Sequence, residues 1–545
     1  MSELFDEVRQ GLQALQTQVS NLSHAVVDRG GLLETHLPAI ETEISEFWTG
    51  GDGIVYTRID NEYDPIEIEY RNMTASICRK PPNTSKLTSV RFKKTPYTDE
   101  NGYIFSANFL EGATNLTEID FGGSNIRSSS NYAFRNCTGL TTINVSGMTE
   151  IGYGMFYGCT NLETVTMPDT TSIKYQGFYN CSKLENPDLS NIISLSGSTF
   201  YGCSSLTSIN LSNIQSMSSN EFANCTGLTT VNVGNIARIP YSTFSNCTIL
   251  ETVIMDSVTV IDSQAFQYCS SLTNIDLTNV TSIDTYAFSY SGIESLDAPN
   301  LSTLYYNAFQ GCTELTSINI PNITNIPSYC FQGCTSLVQL DLSGKNSIGS
   351  RAFADCTSLE SLNLTNTPYI DTYAFNNCTS LETVNFTGVS TIDQGAFANT
   401  NLKSISLPDV TALYYVSFAN NPELETVNII RTESVETYNI RLNFNNSIFE
   451  NCPKLKSITI KQMQKYENGN AIEFGSTIVS NASTLLETVK ILTHSDNTVY
   501  ISSDTFASVS DVAFDIYVSW DENSQSNQNA PWGATNATIH YNYTE

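Results

Sequence analysis

The chain has 545 residues, a formal net charge of −30 and only 15% charged residues, so its polar surface is mostly Ser, Thr, Asn, Gln and Tyr. One compact core does not reach this length, and so acidic a surface repels phosphate backbones, which excludes nucleic acid as a partner. No apolar run is long enough to span a bilayer, and the acidic start Met1-Ser2-Glu3-Leu4-Phe5-Asp6-Glu7 lacks the basic and apolar regions of a secretory signal; the expectation is a chain without membrane insertion or lipid anchor that does not take the general secretory route.

At the N-terminus, Phe5, Val8, Leu12, Leu15, Val19, Leu22 and Val26 step alternately by three and four residues. This a/d register, with polar residues between, predicts an α-helical coiled coil over residues 1–29 that serves oligomerisation and attachment. The mixture of β-branched residues and Leu favours a homotrimer over a dimer. The competing reading is an amphipathic helix folded onto its own domain. Gly30-Gly31 ends the helix. A second periodic stretch over 32–48 contains Pro38, and Gly50-Gly51-Asp52-Gly53 breaks the chain again. From Ile54 the residues alternate, as in Ile66-Glu67-Ile68-Glu69-Tyr70, which predicts strands. Residues 30–85 are read as a shoulder and cap over the first coil, whose open edge needs covering.

From Phe109 the chain repeats. Phe134, Phe156, Phe178, Phe200, Phe222, Phe244, Phe266 and Phe288 follow one another at 22 residues, and Phe309, Phe331, Phe353, Phe375, Phe397 and Phe418 continue at 21 or 22. One unit reads Ala352-Phe353-Ala354-Asp355-Cys356-Thr357-Ser358-Leu359-Glu360-Ser361-Leu362-Asn363-Leu364. The alternation around Leu362 predicts a short strand with one buried face. A single unit cannot bury that face alone, so coils must stack. The fold class is therefore a repeat solenoid, mainly β, over 86–462. Residues 463–545 are read as degenerate repeats and a C-terminal cap.

The F-x-x-C-T-x-L-x-x-I-x-L pattern at this period resembles the BspA-type leucine-rich repeats of bacterial and protist surface proteins. The resemblance covers about residues 85–460. It implies a leucine-rich-repeat fold and binding to extracellular proteins, host surfaces or other cells.

Twelve cysteines stand three residues after a repeat Phe, from Cys137 to Cys452, but Ser291 and Thr400 take the same slot. An obligatory disulfide partner is not replaced so freely, so the slot is read as a ladder of buried free thiols acting as small apolar groups. Cys330 and Cys334 do not make a metal site, since no His lies between His36 and His494.

Near the C-terminus, Asp515-Ile516-Tyr517-Val518-Ser519-Trp520 and the segment from Pro531-Trp532-Gly533-Ala534 to Ile539-His540-Tyr541 read as two strands, with Trp520 and Trp532 covering the apolar end. The second segment is similar to the terminal P-W-G-A-x-x-A-x-I-x-Y of leucine-rich-repeat proteins in gut Firmicutes and their tailed phages. Together with the heptads, it resembles a phage tail fibre or receptor-binding protein.

No nucleophile elbow, P-loop or dinucleotide fingerprint is present, and four His leave little acid–base capacity. Glu163, Glu251, Glu294, Glu360, Glu382 and Glu425 share one repeat slot after the inward Leu, which marks a solvated position and not a glycosidase pair. The chain is expected to be no enzyme and to need no cofactor or metal. Tyr157, Tyr179, Tyr201, Tyr241, Tyr268, Tyr286, Tyr305, Tyr329 and Tyr373 cluster near the repeat Phe at varying offsets. Tyr with Ser and Asn suits adaptable recognition, so this edge is the candidate ligand surface, against the plainer reading that the rings pack on one another. The strand face of Thr207, Ser208, Asn210, Thr229, Thr230 and Asn232 is the second candidate.

The reading is a homotrimeric virion tail fibre, made in the host cytoplasm. It would attach to other tail or baseplate proteins through its N-terminus and recognise a bacterial cell-surface polysaccharide or protein. The rivals are a BspA-like adhesin at the cell surface, a polysaccharide depolymerase and a cytosolic interaction scaffold.

Overall fold

The computed structural model describes residues 48–49, 54–58, 65–70, 77–78, 84, 87–93, 103–121, 126–128, 131–431, 442–462, 470–479, 485–494, 497–507, 509, 513–527 and 530–544. Each coil has three sides. The first is a three-residue strand such as Ser361–Asn363. The second is a two-residue strand such as Tyr369–Ile370. The third is a tight turn carrying Ala374 and Phe375 and leading to Cys378.

In Thr142–Asn144, Ser208–Asn210 and Gln339–Asp341 the middle residue is buried and its neighbours are exposed, the period of two that a strand imposes. Most strands pair in parallel with their equivalents one coil on, as where Ser361, Leu362 and Asn363 lie opposite Thr383, Val384 and Asn385. Identical slots therefore form columns. The Phe rings from Phe134 to Phe418 stack with centroids 5.2–5.7 Å apart and planes within 16° of parallel. That is offset stacking, which the ring quadrupole favours.

The third side follows different rules. The residues two before and two after the Phe take left-handed backbone, as at Tyr132 (φ 60) and Asn136 (φ 58), or Tyr373 (φ 57) and Asn377 (φ 62). Asn, with its short polar side chain, tolerates this region best after Gly, which explains why Asn and Gly crowd around each Phe. The amides of Tyr132, Phe134 and Asn136 donate to the carbonyls of Tyr153, Met155 and Tyr157 in the next coil, so all three donors point toward the C-terminal end.

Parallel stacking runs from the pairing of Pro65–Tyr70 with Ser89–Lys93 to that of Phe514–Val518 with Ala537–His540. Among the described residues, antiparallel pairing is confined to Trp48–Thr49, Ile54–Arg58 and Pro65–Tyr70, strands that cover the edge of the first coil. At the far end Trp532 and Trp520 are buried, and the Trp520 indole donates to Asn527 Oδ1 at 2.8 Å. Each ladder is broken at more than one coil, and both are broken near residues 186–216. Pro187, which has no amide to offer a ladder, stands where the first strand of its coil is missing, and Ser216 makes only an isolated bridge to Ser194.

The solenoid is thus mainly β as expected, with no α-helix among the described residues. The coiled coil expected over residues 1–29, with Phe5, Val8, Leu12, Leu15, Val19, Leu22 and Val26, lies outside the described residues.

Candidate functional site

The tyrosines do not form one surface. Tyr157, Tyr179 and Tyr201 each follow a repeat Phe and stack at 4.7 and 4.6 Å with planes 1° apart. Their faces are covered by one another, so the ladder shows mainly edges and hydroxyls. Arg135, in the same column, lies 5.2 Å from the rings of both Tyr132 and Tyr157 and pairs with Glu111 at 3.4 Å. Tyr268 stacks on Tyr290 at 5.2 Å. Tyr286, Tyr329 and Tyr373 occupy the left-handed corner two residues before the Phe. Arg351 lies 4.7 Å over the Tyr373 ring, and Gln394 Nε2 donates to Tyr373 Oη at 3.0 Å. Tyr241 and Tyr305 are exposed at separate corners.

On the strand face many polar groups satisfy one another. Asn186 Oδ1 accepts from the Thr207 amide at 3.0 Å, Thr229 Oγ1 donates to the Thr207 carbonyl at 2.9 Å, and Asn210 and Asn232 accept from the amides two residues on. Ser208 and Thr230 make no side-chain hydrogen bond among the described residues.

The same face opens into a groove of about 630 Å³ farther along the solenoid. Three strands in register build it: Gln339–Asp341, Ser361–Asn363 and Thr383–Asn385. Gln339, Ser361 and Thr383 form one wall, Asp341, Asn363 and Asn385 the other, and the edges of Leu340, Leu362 and Val384 form the floor between them. The groove therefore runs along the solenoid axis.

Its walls differ chemically. Asn363 Nδ2 donates to Asp341 Oδ1 at 3.0 Å, and Asn363 Oδ1 accepts from the Thr365 amide and hydroxyl at 3.1 and 2.7 Å. Asn385 Nδ2 donates to Thr365 Oγ1 at 2.9 Å. The Ser343 amide and hydroxyl hold the Asp341 carboxyl below the usual carboxylate range, so Asp341 is the ionised member of a wall whose side chains are fixed by hydrogen bonds. Gln339, Ser361 and Thr383 have no side-chain partner among the described residues and offer neutral donors and acceptors.

The family's sequence profile, described as the BspA type leucine rich repeat region, matches in overlapping segments that together span residues 82–425, more than half of the chain. The chain belongs to the BspA-type leucine-rich-repeat family. Among solved structures, this BspA-type chain is similar to a leucine-rich repeat protein from Bacteroides ovatus (17% identity, 90% of this chain and 98% of that one, TM-score 0.48). It is also similar to one from Eubacterium ventriosum (18%, 64% and 93%, 0.36) and to a leucine rich cell surface protein from Faecalibacterium prausnitzii (17%, 80% and 94%, 0.23). No curated protein sequence matches it.

Within the BspA-type coils, burial perturbs the thiols and one carboxyl most strongly. Burial pushes the thiols of Cys225, Cys312 and Cys356 up to about 12. Glu221 takes the Ala slot before Phe222 and is fully buried. Its carboxylate accepts from the amides of Gly197 (2.7 Å), Thr199 (3.0 Å) and Ser218 (3.1 Å), at the interruption of both ladders. Burial pushes its carboxyl up to about 7 against these bonds. Glu163, Glu251, Glu294 and Glu360 are exposed, while Glu382 and Glu425 meet Lys403 at 2.6 Å and Lys456 at 2.8 Å on the next coil. Among the described residues no group of three or more His, Cys, Asp or Glu is placed to hold a metal ion.

The 339–385 groove was not singled out from the sequence. Its signal was available in the outward first and third positions of three consecutive strands, but nothing in the repeat says which three coils leave room between their walls.

Proposed function

We propose that this chain is a surface adhesin that binds a bacterial cell-surface polymer without cleaving it, and that the polymer lies along the groove between Gln339–Thr383 and Asp341–Asn385. The observation that carries the reading is the groove itself: an axial trough with an apolar floor, one fixed wall and one wall of unpartnered hydroxyl and amide groups. An extended, neutral polysaccharide matches it, since successive sugar units meet equivalent side chains on successive coils. The family supplies the general role of presenting a binding surface, and the ligand belongs to the site.

The narrower reading, a homotrimeric virion tail fibre joined to baseplate proteins through its N-terminus, depends on the heptads of residues 5–26 and on the terminal segment. Nothing among the described residues favours a virion over a cell surface, so the adhesin is the reading taken.

The test is to incubate the full chain with isolated wall polysaccharides on a solid support. Retention of the chain with no release of shortened polymer is expected. Release of fragments would instead establish the depolymerase reading, and no retention on any wall polymer would remove the adhesin.

A further inference from the structure

We infer that the occupant of the 339–385 groove is a neutral chain of 1,4-diequatorially linked pyranoses, held as a straight ribbon with one sugar on each of three coils. The inference rests on the adhesin reading above and narrows its ligand to one linkage geometry.

The period of the groove carries it. Gln339–Asp341, Ser361–Asn363 and Thr383–Asn385 pair in parallel and in register, so each side chain stands beside its equivalent on the next coil. Paired strands lie about 4.7–4.9 Å apart. The core rings of the same coils, Phe331, Phe353 and Phe375, stack at 5.2 and 5.5 Å. A polymer lying along the axis therefore meets the same contact once every 5 Å or so, roughly the strand spacing.

Polypeptides do not share this period. An extended peptide returns a side chain to one face every second residue, about 6.7 Å on. A polyproline helix does so every third, about 9 Å on. Either is out of step by the third coil. A single-stranded nucleic acid is repelled, since Asp341 is ionised in the groove and the exposed Glu360 stands beside Ser361. A pyranose chair linked through equatorial bonds at C1 and C4 behaves differently. The two bonds leave opposite ends of the ring in opposite directions, so the chain runs straight and advances by one ring, close to one coil, per sugar. An axial bond at either carbon bends the chain into a helix, which leaves a straight trough.

The walls and floor fit the cross-section of such a ribbon. Its C–H faces meet the edges of Leu340, Leu362 and Val384. Its equatorial hydroxyls point sideways, to Gln339, Ser361 and Thr383, which both donate and accept. The strand ladder stops on both sides of these three strands, which form a sheet of their own, and this sets the regular trough at three sugars.

The experiment is calorimetric titration of the full chain with the β-1,4-linked tetrasaccharides of glucose, mannose, xylose and N-acetylglucosamine, and with maltotetraose, the α-linked isomer of the first. At least one β-1,4 tetramer is expected to bind, roughly tenfold or more tighter than maltotetraose. Its trimer should bind nearly as well and its dimer roughly tenfold more weakly. Ser361→Arg/Thr383→Arg should abolish binding. Ser361→Ala, a small change at an outward position, should lower it about fivefold, the loss of one hydrogen bond. Maltotetraose binding as tightly as the best β-1,4 tetramer overturns the inference, as does a dimer equal to its trimer. If no β-1,4 tetramer binds while the groove pair still abolishes retention on wall polysaccharide, the linkage is wrong and the groove stands. Binding or retention that survives the groove pair removes both.

Discussion

The thiol of Cys203 donates to the carbonyl oxygen of Phe178, one coil earlier, at 3.1 Å. Cys159, Cys269 and Cys378 repeat the bond to Phe134, Phe244 and Phe353 at 3.1, 3.2 and 3.2 Å. Where Asn421 replaces the thiol, its Nδ2 makes the same bond to the Phe397 carbonyl at 3.0 Å, whereas Thr400 Oγ1 turns to the Phe397 carbonyl of its own coil at 3.2 Å and Ser291 Oγ lies 3.5 Å from Cys312 Sγ. The slot therefore holds small side chains that find a local hydrogen bond, and it is not simply apolar: Ser, Thr and Asn enter it where Val does not. Cys203→Ser is expected to cost about 1 kcal/mol or less and Cys203→Val about 2 kcal/mol, because Val loses the bond and crowds a close-packed column. Urea midpoints of the two variants check the order; a Val variant as stable as the Ser variant would contradict it.

The same burial makes these thiols inert. The thiolate is the reactive form, and the thiols from Cys137 to Cys452 are buried with values such as about 12 at Cys312. A disulfide reagent at pH 8 is expected to leave them unmodified in the folded chain and to modify them all in denaturant. Intact mass after brief labelling reads the difference, and labelling of any of them in the folded chain counts against the account.

The coil was legible because its inward slots recur: Phe375, Cys378, Leu381 and Ile392 each keep their place from coil to coil, and stacking demands identity there. The left-handed corners were not read, although Asn136 and Asn377 carried the signal, because an Asn beside Phe has several meanings in one unit and one only when coils are stacked. The tyrosine edge was read as a set, yet offsets differ by residue: Tyr179 meets its equivalents and stacks, while Tyr305 has none beside it. The groove was invisible because Ser361 and Ser208 look alike in sequence. They differ in what neighbouring strands leave open.

Glu221 predicts a pH dependence. Its carboxyl lies at about 7 in the folded chain against an ordinary 4.5, so the folded state holds the proton more tightly than the unfolded state. Its contribution is complete below about pH 4.5, falls as pH rises toward 7 and is constant above, a loss of up to about 3 kcal/mol. Glu221→Gln removes this slope while lowering stability in acid, since one accepting oxygen becomes a donor facing an amide. Urea midpoints from pH 4.5 to 7.5 should fall for the wild type relative to the variant; parallel curves would remove Glu221 as the cause.

The heptads make a separable prediction. If Phe5 to Val26 form a three-stranded coiled coil, the full chain sediments at three times 60.0 kDa and a chain beginning at Gly31 sediments as one copy. A single-copy mass for both assigns the heptads to a helix folded against its own domain.

The central claim is that the 339–385 groove holds the ligand. The most direct measurement is the affinity of the full chain for a wall polysaccharide that retains it, compared with Ser361→Arg/Thr383→Arg and with Tyr305→Ala on another side of the coil. The account predicts a loss of roughly tenfold or more for the groove pair and no change for Tyr305→Ala. Equal affinity for the groove pair and the wild type, with binding lost in Tyr305→Ala, would contradict it and move recognition to the tyrosine edge.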